Sequence, residues 1–95
     1  MRVTVRFAGP FRTLAGCDEQ SVSLAAGANL CDLLRVLGTI LPPEFAREVA
    51  APLQTGQAST ALLLVNTINV PGPAGLVVPL SDGDIVAFVP PMSGG

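Results

Sequence analysis

The chain has 95 residues, 49% apolar and only 13% charged, which makes one domain with a sizeable core and excludes a disordered polypeptide. Its net charge is −2, and its five basic residues are scattered arginines: Arg2, Arg6, Arg12, Arg35 and Arg47. With no basic stripe for phosphates and no Tyr or Trp for bases to stack on, nucleic acid is not an expected partner.

Val3, Val5 and Phe7 alternate with Arg2, Thr4 and Arg6, the period of a strand with one buried face. Gly9-Pro10 interrupts it, and Gln20 to Leu24 alternates again, with Val22 and Leu24 on one side. Together they read as a hairpin with a long connection through Leu14-Ala15-Gly16. After Gly27 the period changes to that of an amphipathic helix, with Leu30, Leu33, Leu34, Leu37 and Leu41 on one face. Asn29 is placed to cap it, Asp32 suits the positive end of its dipole, and Pro42-Pro43 stops it.

A short helical turn is expected from Pro43 to Val49, and a surface loop from Ala51 to Thr60. Ala61 to Val65 is apolar at every position, as in a strand covered on both faces. Any strand between Asn66 and Gly75 must be short and at an edge, because two prolines and two glycines fall there. Asp82-Gly83 signals a turn, and Ile85 to Val89 a last strand ended by Pro90-Pro91. The order ββ-α-β-(short β)-β points to an α+β fold of β-grasp type. It predicts a mixed sheet of four or five strands, one main helix, and a central last strand parallel to the first. Residues 1–90 form the domain, and 91–95 project as a flexible C-terminal diglycine tail.

Arg2 and Arg6 interrupt what would be the apolar core of a signal peptide, and Ala61 to Val65 is too short to span a bilayer. The chain is therefore expected in the cytoplasm, off membranes, with Cys17 and Cys31 as thiols. The absence of histidine removes the usual general base and imidazole metal ligand, and the two cysteines lack metal-site spacing, so no metal is expected. Cys31 reads as a small apolar residue against the core. Asp82 and Asp84 flank a glycine as turn formers rather than as an acid–base pair. Gly72-Pro73-Ala74-Gly75 matches a nucleic-acid-binding loop by letter only, with no cation nearby. An enzyme with its own active site is not expected. Lysine is absent as well, for which arginine-favouring codon usage is the simpler explanation.

In the last strand Val86 and Phe88 should face the core, which turns Ile85, Ala87 and Val89 outward without a single charge. Such a face is expected to meet a partner. Beyond it, two glycines at a terminus occur by chance about once in two hundred chains. Here they follow two stiff prolines, and residues 91–95 would reach roughly 17 Å if fully extended. A thin tail of that kind fits a narrow channel in another protein, since glycine has no Cβ to obstruct it.

Four segments carry a family resemblance: Phe11-Arg12-Thr13-Leu14-Ala15-Gly16, Val65-Asn66, Ser81 to Phe88, and Pro90-Pro91-Met92-Ser93-Gly94-Gly95. They resemble the small subunit of molybdopterin synthase, within the ubiquitin-like β-grasp sulfur carriers that include the thiamine-pathway carrier. The chain departs from the family between Thr39 and Thr60 and from Asn66 to Leu76, and Thr67 stands where a glycine commonly follows the asparagine.

The resemblance implies that a ubiquitin-activating-type adenylyltransferase uses ATP to adenylate Gly95, and that a sulfur donor then leaves a terminal thiocarboxylate. It further implies that Gly94 gives access and that Met92 and Ser93 sit in the channel; Pro90 and Pro91, which follow the last strand, join Ile85, Ala87 and Val89 in the expected partner-binding surface. The sulfur would go to a pterin precursor on a larger synthase subunit for molybdenum cofactor, the carrier binding no cofactor itself. Alternatives keep the thiocarboxylate but serve cysteine, thiamine, tRNA thiolation or a secondary metabolite, or make the chain a ubiquitin-like protein modifier or a plain adaptor.

Overall fold

A computed structural model of the chain describes residues 1–56, 61–70 and 72–90. Two strands open it, β1 (Arg2–Phe7) and β2 (Glu19–Ser23), paired antiparallel with Val3 opposite Val22. Their connection is not a plain loop, because Pro10–Ala15 folds as a short helix, α1. Pro10 stands at its first turn, where a missing N–H costs nothing, and Gly16 ends it in the left-handed region at φ 77°. Phe11 and Ala15 are the residues it buries.

The leucine-faced helix α2 (Leu30–Ile40) buries Leu30, Leu33, Leu34 and Leu37 as its spacing predicts. Its start is a full capping box. Asn29 Oδ1 accepts from Asp32 N and Asp32 Oδ2 accepts from Asn29 N, both at 3.0 Å.

Helical structure then runs further than the sequence indicates. After α3 (Pro43–Phe45) comes a π-helical stretch, Ala46–Ala50, and then α4 (Ala51–Thr55), which replaces the first half of the expected 51–60 loop. Pro52 is the physical reason for the wider turn. Its ring clashes with the carbonyl four residues back in an ordinary helix. Here Ala51 N instead reaches Ala46 O, five residues back, so the chain passes the proline without breaking.

Strands β3 (Leu62–Val65) and β4 (Ile68–Asn69) form a small hairpin; β4 is the short edge strand expected. The short helical turn α5 (Gly72–Gly75) follows, and β5 (Ile85–Val89) occupies the expected residues. The sheet order is β2-β1-β5-β3-β4, with β5 parallel to β1 and antiparallel to β3. This five-stranded mixed sheet with a main helix is the ubiquitin-like β-grasp.

The core lies between α2, the 43–55 helical region and one sheet face. Phe7, Phe45 and Phe88 meet there with centroids 5.2–5.6 Å apart, two contacts edge-on and one stacked. One expectation is corrected: β3 is not covered on both faces. Leu63 is buried while Leu62 and Leu64 are only half-buried, because among the described residues no helix covers the outer side.

Candidate functional site

Strand β5 is built to hold its ends still. At its start the Ser81–Asp84 turn ties three strands together. Asp82 Oδ1 accepts from Arg2 N at 2.7 Å, and Asp84 Oδ2 accepts from Ser81 N at 2.8 Å. Asp84 Oδ1 accepts from Asn66 Nδ2 at 2.9 Å, while Asn66 Oδ1 accepts from Ile85 N at 2.9 Å. The two aspartates are turn and strand-locking groups, as expected of residues flanking Gly83. Asn66 earns its position beside them by clamping β3 onto β5.

At its other end, Ala8 N donates to Phe88 O at 3.0 Å, and Gly9 lies against Pro90. A Cβ added to Gly9 would sit 3.3 Å from Pro90 Cγ, and the backbone there has φ 58° and ψ −133°, open to glycine and closed to L side chains. Gly9 therefore lets the β1–α1 corner pack closely against Pro90 at the end of β5. In the sequence Gly9-Pro10 marks only an interruption of the strand; the register of the sheet is what brings Gly9 to Pro90.

Along β5, Val86 and Phe88 are buried and Ile85, Ala87 and Val89 point the other way, as expected. Ile85 is 39% exposed, and Ala87 and Val89 are half-buried. Registers place Arg6 beside Ala87 on one side and Leu64 on the other, with Leu62 beside Val89. The outer face thus divides along β5. Toward β2 it is polar, with Arg6 Nε 3.2 Å from Glu19 Oε2. Toward β3 it is aliphatic.

A shallow depression of about 410 Å³, lined by Arg6, Phe7, Ala8, Asp18, Glu19, Ala87 and Val89, lies where β5 ends. Arg6, Glu19, Leu62 and Leu64 join the expected surface only through strand register, which single-strand periodicity does not contain. Pro90 is exposed at the edge of this face. Pro91, Met92, Ser93, Gly94 and Gly95 lie outside the described residues. Cys17 and Cys31 are free thiols packed at the margin of the core. Among the described residues no three His, Cys, Asp or Glu side chains group as metal ligands, and no helix is long and apolar enough to cross a membrane.

A sequence profile of the ThiS family matches residues 5–95, nearly the whole chain. The chain belongs to the ThiS family. No curated protein sequence matches it significantly. Among solved structures, a Pyrococcus furiosus protein assigned as molybdopterin converting factor subunit 1 is 30% identical, with a TM-score of 0.78 over 97% of this chain and 99% of that one. Urm1 from Trypanosoma brucei is also 30% identical, with a TM-score of 0.72 over 99% and 95%. A chain of the Amycolatopsis orientalis BexX/CysO complex is 26% identical, with a TM-score of 0.67 over 98% and 99%. This ThiS-family chain is a ubiquitin-fold sulfur carrier by family and by fold.

Proposed function

We propose that the Gly95 carboxylate is the sulfur-carrying group and that its sulfur serves molybdopterin synthesis. A carboxylate is a poor electrophile, so an oxygen of Gly95 first attacks the α-phosphorus of ATP and pyrophosphate leaves. Sulfide, or the terminal sulfur of a persulfide reduced in the same step by a thiol, then attacks the acyl carbon. AMP leaves and a thiocarboxylate remains. The adenylating site belongs to a ubiquitin-activating-type enzyme and the pterin pocket to a larger synthase subunit, so this chain is a co-substrate without a catalytic pocket of its own, working in the cytoplasm. Gly94 passes through the partner's channel with Met92 and Ser93 behind it. Ile85, Ala87, Val89 and Pro90 rest, with Pro91, on the partner's surface.

One observation supports the molybdopterin reading. The chain aligns almost end to end with the Pyrococcus furiosus subunit, at 30% identity. A second reading, in which the same thiocarboxylate serves another acceptor or the carboxylate is joined to target proteins, is favoured by the equal identity to Urm1 and the likeness to the chain of the BexX/CysO complex.

The test is intact mass after incubation with ATP, an activating enzyme and sulfide. Exchange of one oxygen for sulfur, lost on deleting Gly95, is expected; an unchanged mass with an enzyme proven on another carrier would overturn the carrier chemistry. Adding the larger synthase subunit and its pterin precursor then decides the pathway. Sulfur retained on Gly95 under those conditions would move it to the second reading.

A further inference from the structure

A second surface lies at the opposite end of β5 from the tail. A cavity of about 440 Å³ opens between the β3–β4 hairpin and the 75–80 segment. Its floor includes Leu30 and Leu80, both buried, with the partly buried Val65 and Val70. Asn66, Asn69 and Asp84 supply its polar lining.

The walls are fixed. Leu80 N donates to Ala28 O at 2.8 Å, Cys31 N to Leu76 O at 3.2 Å and Val70 N to Leu63 O at 2.9 Å. Five large apolar residues are exposed among those described, and three cluster here: Ile68 at 71%, Val77 at 64% and Val78 at 59%. Ile68 and Val78 edge the cavity, whereas Val77 lies beyond it. The apolar surface therefore continues past the rim, as it does for a protein partner rather than for a small ligand.

Charge identifies the partner's chemistry. Four arginines are paired with Glu19, Asp18, Asp32 and Glu44. Arg2, the cation nearest the Ser81–Asp84 turn, extends its guanidinium to Ser21 Oγ on β2, on the far side of β1 from the cavity. Asp82 and Asp84 are thus acidic groups without an ion-pair partner beside an apolar opening that holds no cation. A second copy of this chain would set acid against acid, which is unfavourable.

We infer that this surface docks a protein segment presenting an aliphatic side chain flanked by lysine or arginine, the side chain entering the cavity and the cation lying over Asp84. Asp84 and Pro90 bracket β5, roughly 20 Å apart at strand rise. Such a segment leaves the tail free. On the carrier reading of Gly95, which only this consequence needs, a second protein can hold the carrier while an enzyme holds its terminus.

The experiment is a nuclear magnetic resonance titration of the ¹⁵N-labelled full chain with an end-blocked amphipathic peptide of leucine and lysine. A matched peptide of leucine and glutamate serves as the control. Saturable shifts are expected at Ile68, Asn69, Val70, Val78 and Leu80, with the lysine peptide binding at least tenfold tighter and weakening as salt rises. Ile68→Ser, at an exposed position where the rest of the spectrum reports an intact fold, should weaken it at least fivefold. Deleting Gly95 should change nothing, which separates this site from the tail chemistry. Shifts centred on Ala87 and Val89, equal binding of the two peptides, or no saturation would each overturn the proposal. Concentration-dependent shifts of the Ile68 surface without peptide would overturn it too, in favour of a second copy.

Discussion

Replacing Gly9 by alanine should destabilise the fold by about 2–3 kcal/mol. Most of that comes from the backbone: at φ 58° and ψ −133° an L residue sits in a region that costs on the order of 1–3 kcal/mol. The remainder comes from contact, since the new methyl would lie 3.3 Å from Pro90 Cγ and the ring must give by a few tenths of an ångström. For a domain of this size each 1 kcal/mol moves the melting temperature by about 4–8 °C, so a drop of roughly 10 °C or more is expected. Thermal and urea unfolding of Gly9→Ala, Pro90→Ala and the double variant would separate the two contributions. Pro90→Ala should recover only the contact part, about 0.5–1 kcal/mol as an interaction energy. A Gly9→Ala protein within about 0.5 kcal/mol of the parent would refute the reasoning. So would full recovery in the double variant, because the backbone cost cannot be relieved from Pro90.

Thr67→Gly should act in the opposite direction. Asn66 and Thr67 turn the β3–β4 hairpin at φ 51° and 72°, and a β-branched residue there is strained by about 1–2 kcal/mol, partly offset by the freedom glycine adds to the unfolded chain. A rise of several degrees in melting temperature checks it, and a fall would contradict it. Phe88→Ala removes the ring that both Phe7 and Phe45 pack against and should lose about 3–5 kcal/mol in urea unfolding. Ile85→Asp, on the outer face but only 39% exposed and in the central strand, should cost about 1–2 kcal/mol of stability through lost apolar burial and strand propensity, and leave the domain folded. It should nevertheless raise KM for the activating enzyme roughly tenfold, the effect of a lost contact of about 1.4 kcal/mol. An unchanged KM would remove Ile85 from the partner surface.

Most of the fold could be read from the sequence, because local patterns and burial agree. The alternation around Val3 and Val22, the leucine spacing of α2 and the Asp82-Gly83 turn each have one physical solution, and the chain adopts it. The expectation failed at Pro52, where a π turn absorbs a residue that ordinarily ends a helix. It also failed at Leu62 and Leu64, since a wholly apolar strand reads the same whether its second face meets a helix or a partner. For the candidate site, the outward set on β5 followed from period two. The contribution of Arg6, Glu19, Leu62 and Gly9 depends on which strands are neighbours. That is a pairing between distant segments, and no local pattern encodes it.

The central place of β5 also bears on when the domain can form. Thr4 pairs with Ile85 roughly eighty residues away, and β5 joins β1 to β3 across the middle of the sheet. During synthesis the ribosome releases β5 after every strand it must join. Until then the β1–β2 hairpin and the β3–β4 hairpin are separate pieces with open edges, exposed to wrong pairing. The insertion that closes the sheet also positions the base of the tail at Pro90. On the proposed carrier reading of Gly95, an enzyme that gripped both the outer face of β5 and the terminus would engage only finished molecules, and the fold would serve as its own check on completeness.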